Sequence, residues 1–159
     1  MSGIITDNVT RSSGLIKAVS GGGGKILQVV GSTHATEVTH SSTSYTDSGI
    51  DVAITPSATS SKIYVVVTTG NYKVSGYGWF VSLFRDSTDL DPGSVGLIGV
   101  NAQTKGNKIG TALSWVDSPS STSSITYSLR GKAQTSGQTF ITCYGDSLCS
   151  ITAFEIDGS

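Results

Sequence analysis

Apolar residues in this chain recur at every second position over short runs, and no stretch sustains the 3.6-residue period of an amphipathic helix. The run 62–69 (KIYVVVTT) places Ile63, Val65 and Val67 on one face and Tyr64, Val66 and Thr68 on the other. The run 78–85 (GWFVSLFR) alternates Trp79, Val81 and Leu83 with Phe80, Ser82 and Phe84. Similar runs fall at 25–33, 35–42, 51–55, 94–100, 108–116, 123–131, 138–143 and 149–156. Turn formers separate them, as in PSATSS at 56–61. About ten short strands rich in Val, Ile, Thr and aromatics predict an all-β domain, an antiparallel sandwich or barrel. The 159 residues make room for one such domain. No repeat of fixed length points to a solenoid or propeller.

Composition narrows the function classes. Ten basic and eleven acidic residues leave a net charge of -1, without the long-range field that nucleic-acid or anionic-membrane binders rely on. Charged residues are 13% of the chain, about half the usual share of roughly 25%. Serine and threonine supply roughly 30%, which predicts a hydroxyl-rich, weakly charged exterior. No apolar run is long enough to cross a bilayer as a helix. Met1 to Ser20 lacks the basic start and apolar middle of a secretory signal, so the expectation is a soluble chain assembled in the cytoplasm.

Residues 1–24 differ from the rest. Ile4-Ile5 and Leu15-Ile16 are apolar anchors in a polar stretch that ends in Gly21-Gly22-Gly23-Gly24, a joint at which the chain can change direction. The pattern predicts an extended attachment arm over 1–24, whose apolar pairs dock on a neighbouring subunit, followed by a β-sandwich domain over 25–159. Strands 62–69 and 78–85 are apolar on both faces. An antiparallel sandwich covers one, so the second calls for a subunit interface or an overlying loop.

Catalytic signals are weak. Ser20-Gly21-Gly22-Gly23-Gly24-Lys25 is followed by Ile26 and a strand, not by the Ser/Thr and helix of a phosphate-binding loop. His34 and His40 are the only histidines, and no nucleophile elbow is present. On one regular strand the two rings would stand roughly 20 Å apart, too far to share a metal. Asp86, Asp89 and Asp91 precede Pro92-Gly93 with a spacing that suits turns better than a calcium loop. Cys143 and Cys149 flank a hairpin loop, and a cytoplasmic origin favours two free thiols over a cross-link. Tyr72, Tyr77 and Trp79 group around glycines. Two readings stand for them: a recognition surface for glycan or protein, or core packing of Trp79. No catalytic residue, metal ligand or cofactor is expected.

Several segments together resemble a known family: 25–31 (KILQVVG), 54–69 (ITPSATSSKIYVVVTT), 83–88 (LFRDST), 115–129 (WVDSPSSTSSITYSL), 150–156 (SITAFEI) and the opening 12–18 (SSGLIKA). They are similar to tailed-bacteriophage virion proteins, tail-fibre or tail-fibre-like, common among phages of aquatic bacteria. The resemblance implies a jelly-roll-like sandwich, a homotrimer displayed on the virion, with other tail, baseplate or capsid proteins as partners and a host surface glycan as a further candidate. It supplies no catalytic residues. Departures fall in 70–78, 86–107 and 131–137, where receptor contacts would vary. The expected function is a non-enzymatic short tail fibre or adhesin. Its rivals are a capsid decoration (cement) protein, a carbohydrate-binding module and a glycan depolymerase.

Overall fold

The computed structural model describes residues 24–74, 78–91, 93, 95–101, 108–145 and 147–158. Its strands are β1 (Ile26–His34), β2 (Val38–His40), β3 (Thr46–Ile54), β4 (Lys62–Val74), β5 (Gly78–Arg85), β6 (Thr88–Asp89), β7 (Ile98–Asn101), β8 (Lys108–Asp117), β9 (Ile125–Ala133), β10 (Phe140–Thr142) and β11 (Cys149–Ile156). No helix occurs among the described residues. One sheet runs β1-β11-β4-β10-β2, with β8 on the other side of β4. The second runs β3-β9-β5-β6, with β7 also on β5. Every pairing is antiparallel. The chain changes sheet between most successive strands, giving the antiparallel β-sandwich that the turn-and-strand pattern implied.

Period-two alternation builds the core. Ile63, Val65 and Val67 of β4 and Ile151 and Ala153 of β11 face Ile50, Val52 and Ile54 of β3, Val81 and Leu83 of β5, and Tyr127 and Leu129 of β9. All are nearly or fully buried. Phe140 closes one end, with its ring over Gly131, where any side chain would collide with it. Stacked side chains continue from there: Trp79 on Phe140 at 5.3 Å and His40 on Phe140 at 4.5 Å between ring centroids.

Strands β5 and β11 have the bounds their sequence runs predict. β3 begins at Thr46 rather than Asp51, because a bulge carries the alternation past Ser48-Gly49. Gly49 takes φ +71 there, a left-handed conformation that glycine adopts without steric cost. β4 continues beyond Thr69 to Val74 after a similar irregularity. β2 shrinks to three residues, and β7 starts at Ile98 rather than Ser94.

Two expectations are corrected. Cys143 and Cys149 are disulfide-bonded, not free: both are buried, one ending the approach from β10 and the other starting β11, with Cα atoms 5.9 Å apart. The second face of β5 is covered by the chain itself. Arg130 lies 4.4 Å from the Phe84 ring centroid, Tyr45 meets Phe84 edge-on at 5.4 Å, and Lys132 stands over both Tyr45 and Phe80. Phe84 is left 7% exposed, so that strand needs no second subunit as a lid.

Replacing both cysteines by serine should lower stability by about 2 kcal/mol, the entropy of closing so short a loop in the unfolded chain. Urea unfolding of the double variant beside the oxidised parent checks this. An unchanged midpoint would mean that the thiols are unpaired in the folded protein.

Candidate functional site

Register lines up the outward side chains of the first sheet into rows that cross three or four strands. Val29 of β1 stands opposite Phe154 of β11, Phe154 opposite Tyr64 of β4, and Tyr64 opposite Val116 of β8. On one side lies the row Ile26–Ile156–Lys62. On the other lie Gly31–Thr152–Val66–Ser114 and Thr33–Ser150–Thr68–Ala112. Lys62 is the one charged side chain in these four rows. Val29 and Val116 are each 53% exposed and Ile26 54%. Between them Tyr64 and Phe154 are half-buried by each other, with ring centroids 6.0 Å apart. Beyond the valine–aromatic ridge the surface drops to small and hydroxyl side chains, with Thr68 and Ser150 hydrogen-bonded at 2.6 Å.

The outer face of the second sheet is built differently. Asp47 pairs across from Arg130, Asp51 from Ser128 and Phe80 from Lys132, so both signs of charge occur there and the aromatic rings are capped by cations. One exterior thus suits water, and the other leaves a contiguous apolar band without charge, the kind of surface that marks a contact.

The perturbed titratable groups are committed to the fold. Glu155 is fully buried. Burial alone would raise its pKa. Donors prevail, however: the Ser57 and Ser61 hydroxyls, the Gln28 amide and the Ser57 N–H, at 2.6–2.7 Å, hold the carboxyl down at about 2. His40 is driven down to about 4 by burial, against the pull of the Gly131 carbonyl and Asp47. The Thr46 hydroxyl donates to the Gly131 carbonyl at 3.2 Å, which leaves its oxygen to accept from His40 Nδ1 at 2.7 Å. Asp117 of β8 accepts both Arg85 Nη1 bonds, at 2.8 and 2.9 Å, and the Tyr127 hydroxyl at 2.7 Å, tying the first sheet to the second. Burial and that bond to Asp117 raise the Tyr127 pKa.

Trp79 is fully buried in the core, which corrects its assignment to a recognition surface. Tyr72 lies on β4 opposite Ile109, and Tyr77 falls outside the described residues, as do Ile4, Ile5, Leu15 and Ile16 of the arm. His34 and His40 end different strands: His34 lies 3.7 Å from Asp51 and 3.0 Å from the Ser32 hydroxyl. Asp89 and Asp91 accept the N–H groups of Asp91 and Gly93, the turn role their spacing suggested, whereas Asp86 accepts that of Thr126 on β9. Among the described residues no group of three or more His, Cys, Asp or Glu is placed to hold a metal. Sequence reasoning saw the second apolar face of 62–69. It missed Val29, Val116 and Phe154 as fellow members of the band, because only register joins them. A scan of protein-family models finds none that matches the chain, and a search of curated proteins finds no relative.

Stability should fall in two steps on acidification. His40 binds its proton more weakly when folded than in the unfolded chain. Its contribution is therefore intact above about pH 6.5 and lost as pH drops toward 4. Glu155, depressed below its ordinary 4.5, adds a second loss between 4.5 and about 2. Urea midpoints measured against pH should lose the upper slope in His40→Gln and the lower slope in Glu155→Gln. Parallel curves for parent and variants would refute the assignment.

Proposed function

We propose that this chain is a non-enzymatic virion structural protein of a tailed bacteriophage: a trimeric surface projection of the short tail-fibre or adhesin type, anchored by its N-terminal arm. The observation that carries the reading is the outer face of the first sheet, four rows of side chains with a single charge and a band of Val29, Phe154, Tyr64 and Val116. A solitary domain gains nothing from exposing such a band, whereas one that works among copies of itself buries it. The resemblance of 25–31, 54–69 and 150–156 to phage virion proteins gives the class of particle. Glu155, Tyr127 and the buried His40 are all engaged in packing or in tying loops and sheets together, which fits a scaffold better than a depolymerase. Burial of Trp79 removes one of the three aromatics on which a carbohydrate-binding module would rest.

In this role the sandwich is the displayed body. Segments 70–78, 86–107 and 131–137 vary with the receptor, and residues 1–24 fix the trimer to its base. Antibody against the purified chain, applied to intact particles and viewed by electron microscopy, tests the placement. Label on the tail is expected. Label over the head would make the chain a capsid decoration protein, and particles that carry none of it would overturn the virion assignment.

A further inference from the structure

The face, with Lys62 its one charge, needs an occupant, and threefold symmetry restricts what that can be. Two identical faces laid against each other make a twofold pair. In a ring of three the contact is head-to-tail, so whatever part of the face meets a neighbour touches a different part of that neighbour. Among the described residues the large exposed apolar side chains away from the face and its β1 margin are Val95 and Leu148, single and far apart in the chain. Neither makes a second patch. The arm does: Ile4-Ile5 and Leu15-Ile16 are its paired large apolar residues, with Met1, Val9, Ala18 and Val19 scattered among polar ones and glycines.

The exit point of the arm fits this. The Gly24 N–H donates to the Asp157 carbonyl, which holds the chain at the end of the β1–β11 pair, beside Ile26 and Ile156. Ile16 precedes Gly24 by eight residues and Ile4 by twenty. At about 3.3 Å per extended residue these reach about 26 and 66 Å, which brackets the width of roughly 35 Å expected for a domain of this size. The receiving face has the matching relief. An extended segment can lie on the low floor of Gly31, Thr152, Ser114 and Ala112 and press an apolar pair against the ridge of Val29, Phe154, Tyr64 and Val116. The Ser and Thr hydroxyls of that floor can serve the segment's backbone. No charge there meets the arm except Lys62, at the margin.

We infer that the outer face of the first sheet receives the N-terminal arm of a neighbouring copy, with Leu15-Ile16 seated on the Val29–Phe154–Tyr64–Val116 ridge. The inference rests on the trimeric reading above and names the contact that closes the ring.

Two full-length variants test it: an arm variant, Leu15→Asp with Ile16→Asp, and a face variant, Val29→Lys with Val116→Lys. Both alter exposed or arm positions, and circular dichroism melts confirm that the sandwich stays folded. Sedimentation should find three chains for the parent and one for either variant alone. An equimolar mixture should give a two-chain species, because the face variant's intact arm fits the arm variant's intact face. Variants that remain single on mixing would place the arm on its own copy and overturn the exchange. A trimer that survives the arm change but not the face change would keep the interface and reject the arm as its occupant. A trimer that survives the face change would put the contact elsewhere. A parent that sediments as one chain at every concentration would remove the trimer itself, and the exchange with it.

Discussion

β4 is flanked on both edges, by β11 and β10 on one side and β8 on the other, so its backbone is satisfied within the sheet and only its two faces remain to be covered. The inner face is resolved by burial of Ile63, Val65 and Val67 against the second sheet. The outer face carries Tyr64 and Val66, and the same registers that fix the core place Phe154, Val29 and Val116 beside them. A one-residue slip would send Ile63, Val65 and Val67 into water, so the position of the band is as firmly specified as the core itself. The interaction surface is a by-product of the packing.

Polar groups inside the sandwich reinforce it at separate points. Glu155 gathers the 57–61 turn and Gln28 of β1 around one carboxylate. Gln28 also reaches the Thr55 carbonyl at 2.7 Å, so the edge strand and the turn are fastened together. Asp117 joins β8 to β5 and β9 through Arg85 and Tyr127, so its carboxylate is paired with a guanidinium and accepts from a hydroxyl. His40, Phe140 and Trp79 stack in succession at the other end, near the disulfide. Among them Glu155, Tyr127 and His40 have disturbed ionisation, and each disturbance has a structural cause in the partners that surround it.

Much of the fold was legible in the sequence because a two-residue period needs only local information. β5 and β11 could be bounded from their own residues. β3 could not: its first half is polar in sequence, and the inward-facing residue there is Ser48 rather than an apolar one. The fate of the second face of β5 depended on Tyr45, Arg130 and Lys132, which come from distant parts of the chain. Compartment-based reasoning misjudged Cys143 and Cys149, since it is their burial at adjoining strand ends that brings them together. Trp79, set among glycines and tyrosines, had the composition of a surface cluster and the position of a core residue. Of the band itself only Tyr64 was visible, and its completion required four strands in register.

The asymmetry between the two exteriors is what links structure to assembly: one is charged and self-covered, the other is apolar and open in the isolated domain. Hydroxyl-radical footprinting of the full-length protein at working concentration measures this directly through the oxidation of Tyr64 and Phe154. Covered by a neighbour, both rings should be oxidised many times more slowly than in the same chain lacking residues 1–23. Equal oxidation in the two proteins would mean that the band stays wet, and the face would then be no interface.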